Sequence, residues 1–284
     1  MKPNLTTPAW ALALMAAITN ASPILQLSPR TDNRDTVYAK NWAGLAINTT
    51  TDSPISALTG VIQVPKFFPP PTGDYTNISF VINLGTNGDC GSAASAGIDM
   101  AILKDGTATF AAWSHASYDG HGREPLAVNW MDDMRGSRFE IQAGDEITIT
   151  LKTQGHRNVW LQWNNTRTSD NLQLKIKDYK TDLCLTYASW VTEQRPALTV
   201  GQDPGVFTTP DFGTVVIKGM EWGAEDGQVW KTGKRKGPAK ENWFAIGEEN
   251  EWGHYIDTGC GFFGKAEDVD DQGMKCTQEK ASGR

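Results

Sequence analysis

The sequence predicts an all-β protein, built as a two-sheet sandwich or a closed barrel. Many short runs rich in Val, Ile, Thr and aromatic residues alternate apolar and polar positions with a period of two. Clusters of Gly, Pro, Asn and Asp separate those runs. Between residues 36 and 220 no apolar pattern with a helical period is sustained. The 284 residues are 39% hydrophobic with 28 Gly, an apolar share that can fill a core of this kind.

From the N-terminus, residues 1–21 carry one charge at Lys2, an apolar run from Ala9 to Ile18 and small residues around Ala21. That pattern predicts a secretory signal peptide, too short to span a membrane. Residues 22–36 read as a short pro-segment or linker, 37–263 as the sandwich and 264–284 as a polar tail. Strands are expected at 41–47, 57–64, 78–84, 98–103, 107–113 and 138–142, and again at 146–152, 159–163, 172–176, 186–192 and 212–217. Turn chemistry lies between them at Pro69–Gly73, Thr86–Asp89, Lys104–Gly106, Ala143–Asp145 and Asp203–Gly205. Gly85–Gly97 reads as a Gly-rich loop without the Lys-Ser/Thr of a phosphate loop. Past Gly219 a basic stretch, Lys231 to Lys240, precedes an acidic one; both read as solvated surface.

The formal net charge is −7, from 26 Lys plus Arg against 33 Asp plus Glu. That excess argues against a nucleic-acid partner, which needs basic surface to displace counterions. No stretch after the signal peptide is apolar enough to span a membrane, so a soluble monomer is expected. The four cysteines, Cys90, Cys184, Cys260 and Cys276, are even in number and in an exported chain allow three disulfide pairings. Asn48, Asn77 and Asn164 open N-glycosylation sequons. No Cys or His pair has metal-ligand spacing, so neither metal nor cofactor is expected. Trp160 and Trp163 read as sandwich aromatics that could alternatively line a groove.

Seven segments in order resemble the eqolisins, the secreted glutamic peptidases: Asn41-Trp-Ala-Gly, Val61-Ile-Gln-Val-Pro, Asn87-Gly-Asp-Cys, Ala101-Ile-Leu-Lys-Asp-Gly, Ala143-Gly-Asp-Glu-Ile, Leu183-Cys-Leu-Thr-Tyr-Ala-Ser-Trp-Val-Thr-Glu and Phe212-Gly-Thr-Val. The resemblance implies a concanavalin-like sandwich of two curved antiparallel sheets. It also implies a Cys90–Cys184 bridge; Cys260–Cys276 is the expected second. Family members hydrolyse peptides with a glutamate acting as general base and acid and a glutamine that orients water and steadies the oxyanion. At the matching positions this chain carries Ser189 for the glutamate and Lys104 for the glutamine, and it keeps the motif's second glutamate as Glu193. Phe80 stands where the family has a substrate-side tryptophan, and Trp113 and His115 match an aromatic, acidic stretch. Phe80, Trp113, His115 and Trp190 are the expected substrate-side residues.

A serine hydroxyl cannot replace a carboxylate as a base unaided, and a lysine ammonium only donates. The expected protein is therefore a catalytically impaired relative that binds peptide or glycan in its groove, with Lys104 and Glu193 facing each other as an ion pair. Two alternatives keep an enzyme: Glu193 takes over as base in an acid endopeptidase, or Ser189 and a deprotonated Lys104 form a nucleophile and base pair. A lectin-like use of the same sandwich is the remaining reading.

Overall fold

The computed structural model describes residues 36–39, 42–66, 76–85, 92–102, 107–117, 127–130, 139–178, 182–193, 214–224, 228–231, 240–246, 257–263 and 273–279. Among them every regular element is a strand. In chain order these are β1 (Thr36–Ala39), β2 (Trp42–Asn48), β3 (Ile55–Gln63), β4 (Thr76–Gly85), β5 (Ala93–Ile102), β6 (Ala108–Ser117), β7 (Ala127–Trp130) and β8 (Glu146–Gln154). They continue with β9 (Asn158–Asn165), β10 (Asn171–Ile176), β11 (Tyr187–Glu193), β12 (Thr214–Ala224), β13 (Val229–Lys231), β14 (Lys240–Ile246), β15 (Asp257–Phe263) and β16 (Gly273–Glu279).

Hydrogen bonding runs in one path, β10-β9-β8-β3-β12-β16-β15-β14-β2-β11-β4-β5-β6-β7, antiparallel at every step. The path doubles over into a sandwich. β3 packs against β4 and β11, and β8 against β4 and β5, so β2-β11-β4-β5-β6-β7 forms one layer and β10-β9-β8-β3-β12-β16 the other. Edge additions are β1, parallel to β14, and β13, antiparallel to β12.

Alternation decides which side chains fill the space between the layers. The first layer turns Leu45, Ile47, Ile78, Phe80, Ile82, Leu84, Ile98, Met100 and Trp190 inward. Leu58, Ile62, Ile147, Ile149, Leu151, Leu161 and Trp163 meet them from the second. Each fully buried Leu or Ile contributes about 1.5–3 kcal/mol. Two indoles tie the layers reciprocally. Trp190 of the first donates its Nε1–H to the carbonyl of Thr59 at 2.8 Å, and Trp163 of the second donates to that of Gly97 at 3.2 Å. Gly60 leaves room for the Trp190 ring, whose atoms would lie 3.2 Å from an added Cβ. In β12 a bulge between Lys218 and Glu221, with Gly219 at φ +55°, shifts the inward set from Val215 and Ile217 to Met220 and Trp222.

Several expectations need correction. Residues 139–142 are not a strand; Phe139 is buried, and Gln142 accepts from the Asp145 N–H at 3.1 Å to close the turn that carries Gly144 at φ +93°. β5 begins at Ala93, so the second half of the Gly85–Gly97 stretch is strand, with small residues that pack flat rather than form a loop. The polar C-terminal tail is likewise corrected at residues 273–279. β16 lies between β12 and β15, with Met274 and Cys276 fully buried. Residues 1–35 and the basic stretch at 232–239 lie outside the described residues.

Candidate functional site

The strand register places Ser189 on the face of the first layer that points away from the core. Ser189 pairs with Ala46 on β2 and Asn83 on β4; Asn83 pairs with Ser95 on β5, and Ser95 with His115 on β6. Directly opposite residues share a face, so Ser189, Asn83, Ser95 and His115 form one polar row across four strands. Two residues along β11 the row reads Val191, Val81, Gly97, Trp113, and two further on it reads Glu193, Ser79, Asp99, Ala111.

This face is enclosed. Tyr187, Ser189, Val191, Ser79, Val81, Asp99 and Trp113 are all buried there. The outward face of the other layer, by contrast, leaves Thr148, Thr150, Trp160, Gln162 and Asn164 partly exposed. Enclosure on the side away from the core is what a groove requires. Within it the Trp113 ring lies over Gly97, where an added Cβ would come within 2.8 Å of the indole.

At the centre, the Ser189 hydroxyl accepts a hydrogen bond from the Asn83 amide at 3.2 Å and is also hydrogen-bonded to Tyr187. Burial pushes the Tyr187 phenol well above its ordinary value, which the bond with Ser189 offsets only in part. The phenol therefore stays protonated. The central row holds no carboxylate. Two rows along, Ser79 donates to the buried Asp99 carboxylate, and Glu193 takes the register position opposite Ser79.

The residues expected from sequence fall into three groups. Ser189, Trp113 and His115 share the groove face, and Glu193 occupies a register position on it. Phe80 and Trp190 are corrected: both alternate to the opposite face and are fully buried in the core, where Trp190 bonds to Thr59. Lys104 lies outside the described residues. β5 ends at Ile102, seven residues beyond Ser95 and so roughly 23 Å along the strand. In the row of Ser189 the β5 position belongs to Ser95. Asn83, Ser95, Ser79 and Asp99 were not anticipated, although strand alternation around Phe80 and Ile98 marks them: the large apolar residues take the even positions and these four the odd.

Other expected positions are placed as follows. Asn48 ends β2 and is half-buried; Asn77 lies in β4 opposite Ala101. Asn164 faces outward on β9, where its Oδ1 accepts from Gln162 at 3.2 Å and from Asn171. Trp163 belongs to the core, while Trp160 lies on the outer face of the second layer beneath Lys152, whose Nζ is 5.3 Å from the ring centroid. Cys260 and Cys276 are directly opposite in β15 and β16; no described cysteine is a free thiol, and Cys90 lies outside the described residues.

A sandwich whose enclosed outer sheet face carries the candidate residues is an architecture of the glutamic-peptidase type. Residues 40–246 match the peptidase A4 family, and the chain belongs to it. Two solved structures share the fold. Scytalido-glutamic peptidase with a peptide-based transition-state analogue is 15% identical, over 84% of this chain and 98% of its own, at TM-score 0.58. SCP-B, a member of the eqolisin family in complex with the tripeptide Ala-Ile-His, is 14% identical over the same shares, at TM-score 0.55. No curated protein matches the chain by sequence.

Proposed function

We propose that this chain is an exported peptide-binding member of the peptidase A4 family that does not work by glutamic-type acid–base catalysis. One observation carries the reading: Ser189, which the sequence resemblance sets at the family's catalytic glutamate, is buried with its hydroxyl bonded to Asn83 and Tyr187. General acid–base catalysis accounts for about 10²–10⁴ in rate, and a hydroxyl with an ordinary serine pKa cannot supply it. The nearest amide, Asn83, is engaged with Ser189 rather than paired with an acid. Peptide is favoured over glycan because the solved relatives carry a peptide-based analogue and a tripeptide. The sequence pattern of residues 1–21 supports export, and the opposed Cys260 and Cys276 support a bridge between β15 and β16, with Cys90–Cys184 as the second.

The test is incubation of the purified chain with an unfolded protein at about pH 2–5, where a carboxyl cycles between its two forms. No cleavage is expected, alongside binding of short peptides measured by calorimetry. A second reading follows from the row of Glu193, Ser79 and Asp99, which brings two acidic residues to the same face. Cleavage that disappears in Glu193→Gln or Asp99→Asn would establish that reading and overturn the first.

A further inference from the structure

The hairpin of β9 and β10 joins two observations that the groove does not use. Asn164-Asn165-Thr166 is a sequon at the end of β9. The turn that follows is closed by the Asn165 N–H on the Asp170 carbonyl at 3.0 Å and the Ser169 N–H on the Asn165 carbonyl at 2.9 Å. Alternation sends the two asparagines to opposite sides. Asn165 is buried, and its Nδ2 donates to the Glu140 carbonyl and to Asp145, each at 2.8 Å. Asn164 lies partly exposed on the outer face of the second layer, and Thr166 is exposed. Gln162 and Asn171 both donate to the Asn164 Oδ1, which fixes the amide. Its Nδ2, the atom that takes a glycan, has no acceptor among the described residues. Asn48, by contrast, stands on the groove face in the row of the buried Tyr187.

The strand beside Asn164 is open. β10 ends the hydrogen-bonded path, so among the described residues no strand takes up its outer N–H and C=O groups. Asn171, Gln173 and Lys175 are exposed, and Leu172, Leu174 and Ile176 are only partly buried although they pack on the core. Between Asp170 and Lys175 the strand carries no charge. An uncharged edge with half-covered apolar residues is a template for pairing with another copy. Asn171, where that stretch begins, is directly opposite Asn164, about 4.8 Å away across the ladder.

We infer that Asn164 carries an N-linked glycan, which covers the uncharged part of the β10 edge and keeps this chain from pairing there with a second copy. The inference rests on the export part of the proposed function, since the sugar is added to exported chains. In that step Nδ2 bonds to the anomeric carbon of an oligosaccharide carried on a lipid pyrophosphate. The bond from that carbon to the pyrophosphate oxygen breaks, the lipid pyrophosphate leaves with the electron pair, and Nδ2 gives up one of its two protons. The glycan lies on the outer face of the layer that does not carry the groove, so the groove stays open.

Secretion of the full chain from a eukaryotic host, with peptide mapping and light scattering of the product, tests it. The peptide holding Asn164 is expected to carry a glycan that both Asn164→Gln and Thr166→Ala remove. The parent chain is expected to be a monomer, and the two variants to shift to a dimer or larger species at the same concentration. Enzymatic trimming of the folded parent to single sugars gives the same comparison without a variant. Gln173→Lys, which adds charge at an exposed β10 position, returns the sugar-free chain to a monomer. A secreted chain with Asn164 unmodified refutes the inference and leaves export standing. A chain retained in the cell with residues 1–21 intact overturns the export reading and this inference with it. If the chain stays monomeric without the glycan, or if Gln173→Lys does not reverse the association, the covering role is refuted.

Discussion

On the proposed reading, a serine in place of a carboxylate changes what position 189 can do in two ways. It loses the proton acceptor, and it gains a small group that fits under Tyr187 and satisfies Asn83. Ser189→Ala should cost about 1–2 kcal/mol in a urea titration, because the Asn83 amide then loses its buried acceptor. Trp190, one residue on, serves the opposite face. Trp190→Ala should destabilise by about 3–5 kcal/mol, since it opens a cavity between the layers and removes the bond to Thr59. Gly97→Ala tests the groove floor. The added methyl would sit 2.2 Å from the Phe80 carbonyl and 2.8 Å from the Trp113 ring, so backbone and indole must both shift. An overpacking loss of about 1–3 kcal/mol is expected, together with a changed Trp fluorescence spectrum.

At the scale of the strand, alternation made most of the first layer legible. The apolar even positions of β4 and β5 define the core, and Ser189, Val191 and Glu193 fall together on the other face. The same rule places Phe80 and Trp190 in the core, where segment-by-segment likeness to a family had put them at the substrate. The C-terminal strand β16 was not read as a strand, because its alternation of Met274 and Cys276 with Lys275 and Thr277 is short and sits in an otherwise polar segment. Met274 and Cys276 become core when β15, the preceding strand, and β12, far away in sequence, flank them. Lys104, expected to face Glu193 as an ion pair, lies outside the described residues; in the row of Ser189 the β5 position is Ser95, because register decides neighbours across a sheet.

The turn into β8 is held by charge. Asp145 is buried and receives Arg167 Nε at 2.6 Å, Asn165 Nδ2 at 2.8 Å and the Gln142 N–H at 2.9 Å. Burial pushes its carboxyl up, but the hydrogen bonds from Arg167, Asn165 and Gln142 together outweigh that and hold it below the ordinary 3.8. The folded state thus favours the ionised form. Its stabilisation is present above the unfolded value and fades as pH falls through the lower, folded one. Asp145→Asn should cost about 1.5–3 kcal/mol near neutral pH, from the loss of hydrogen bonds to a charged group. In chemical denaturation the gap to the parent chain should narrow at strongly acid pH; a gap independent of pH would contradict the assignment.

Over the whole molecule, the sandwich of the family is kept, while on the proposed reading the residues that would perform its chemistry have changed. Nothing in the core requires the groove chemistry to be kept, because core and groove use opposite faces of the same strands. The experiment that bears most directly on the account is digestion of an unfolded protein by the purified chain at about pH 2–5, with Ser189→Glu run beside it. The account predicts no peptide release from the parent chain at any of these pH values. Sustained cleavage by the parent chain, lost on Glu193→Gln or Asp99→Asn, would contradict it.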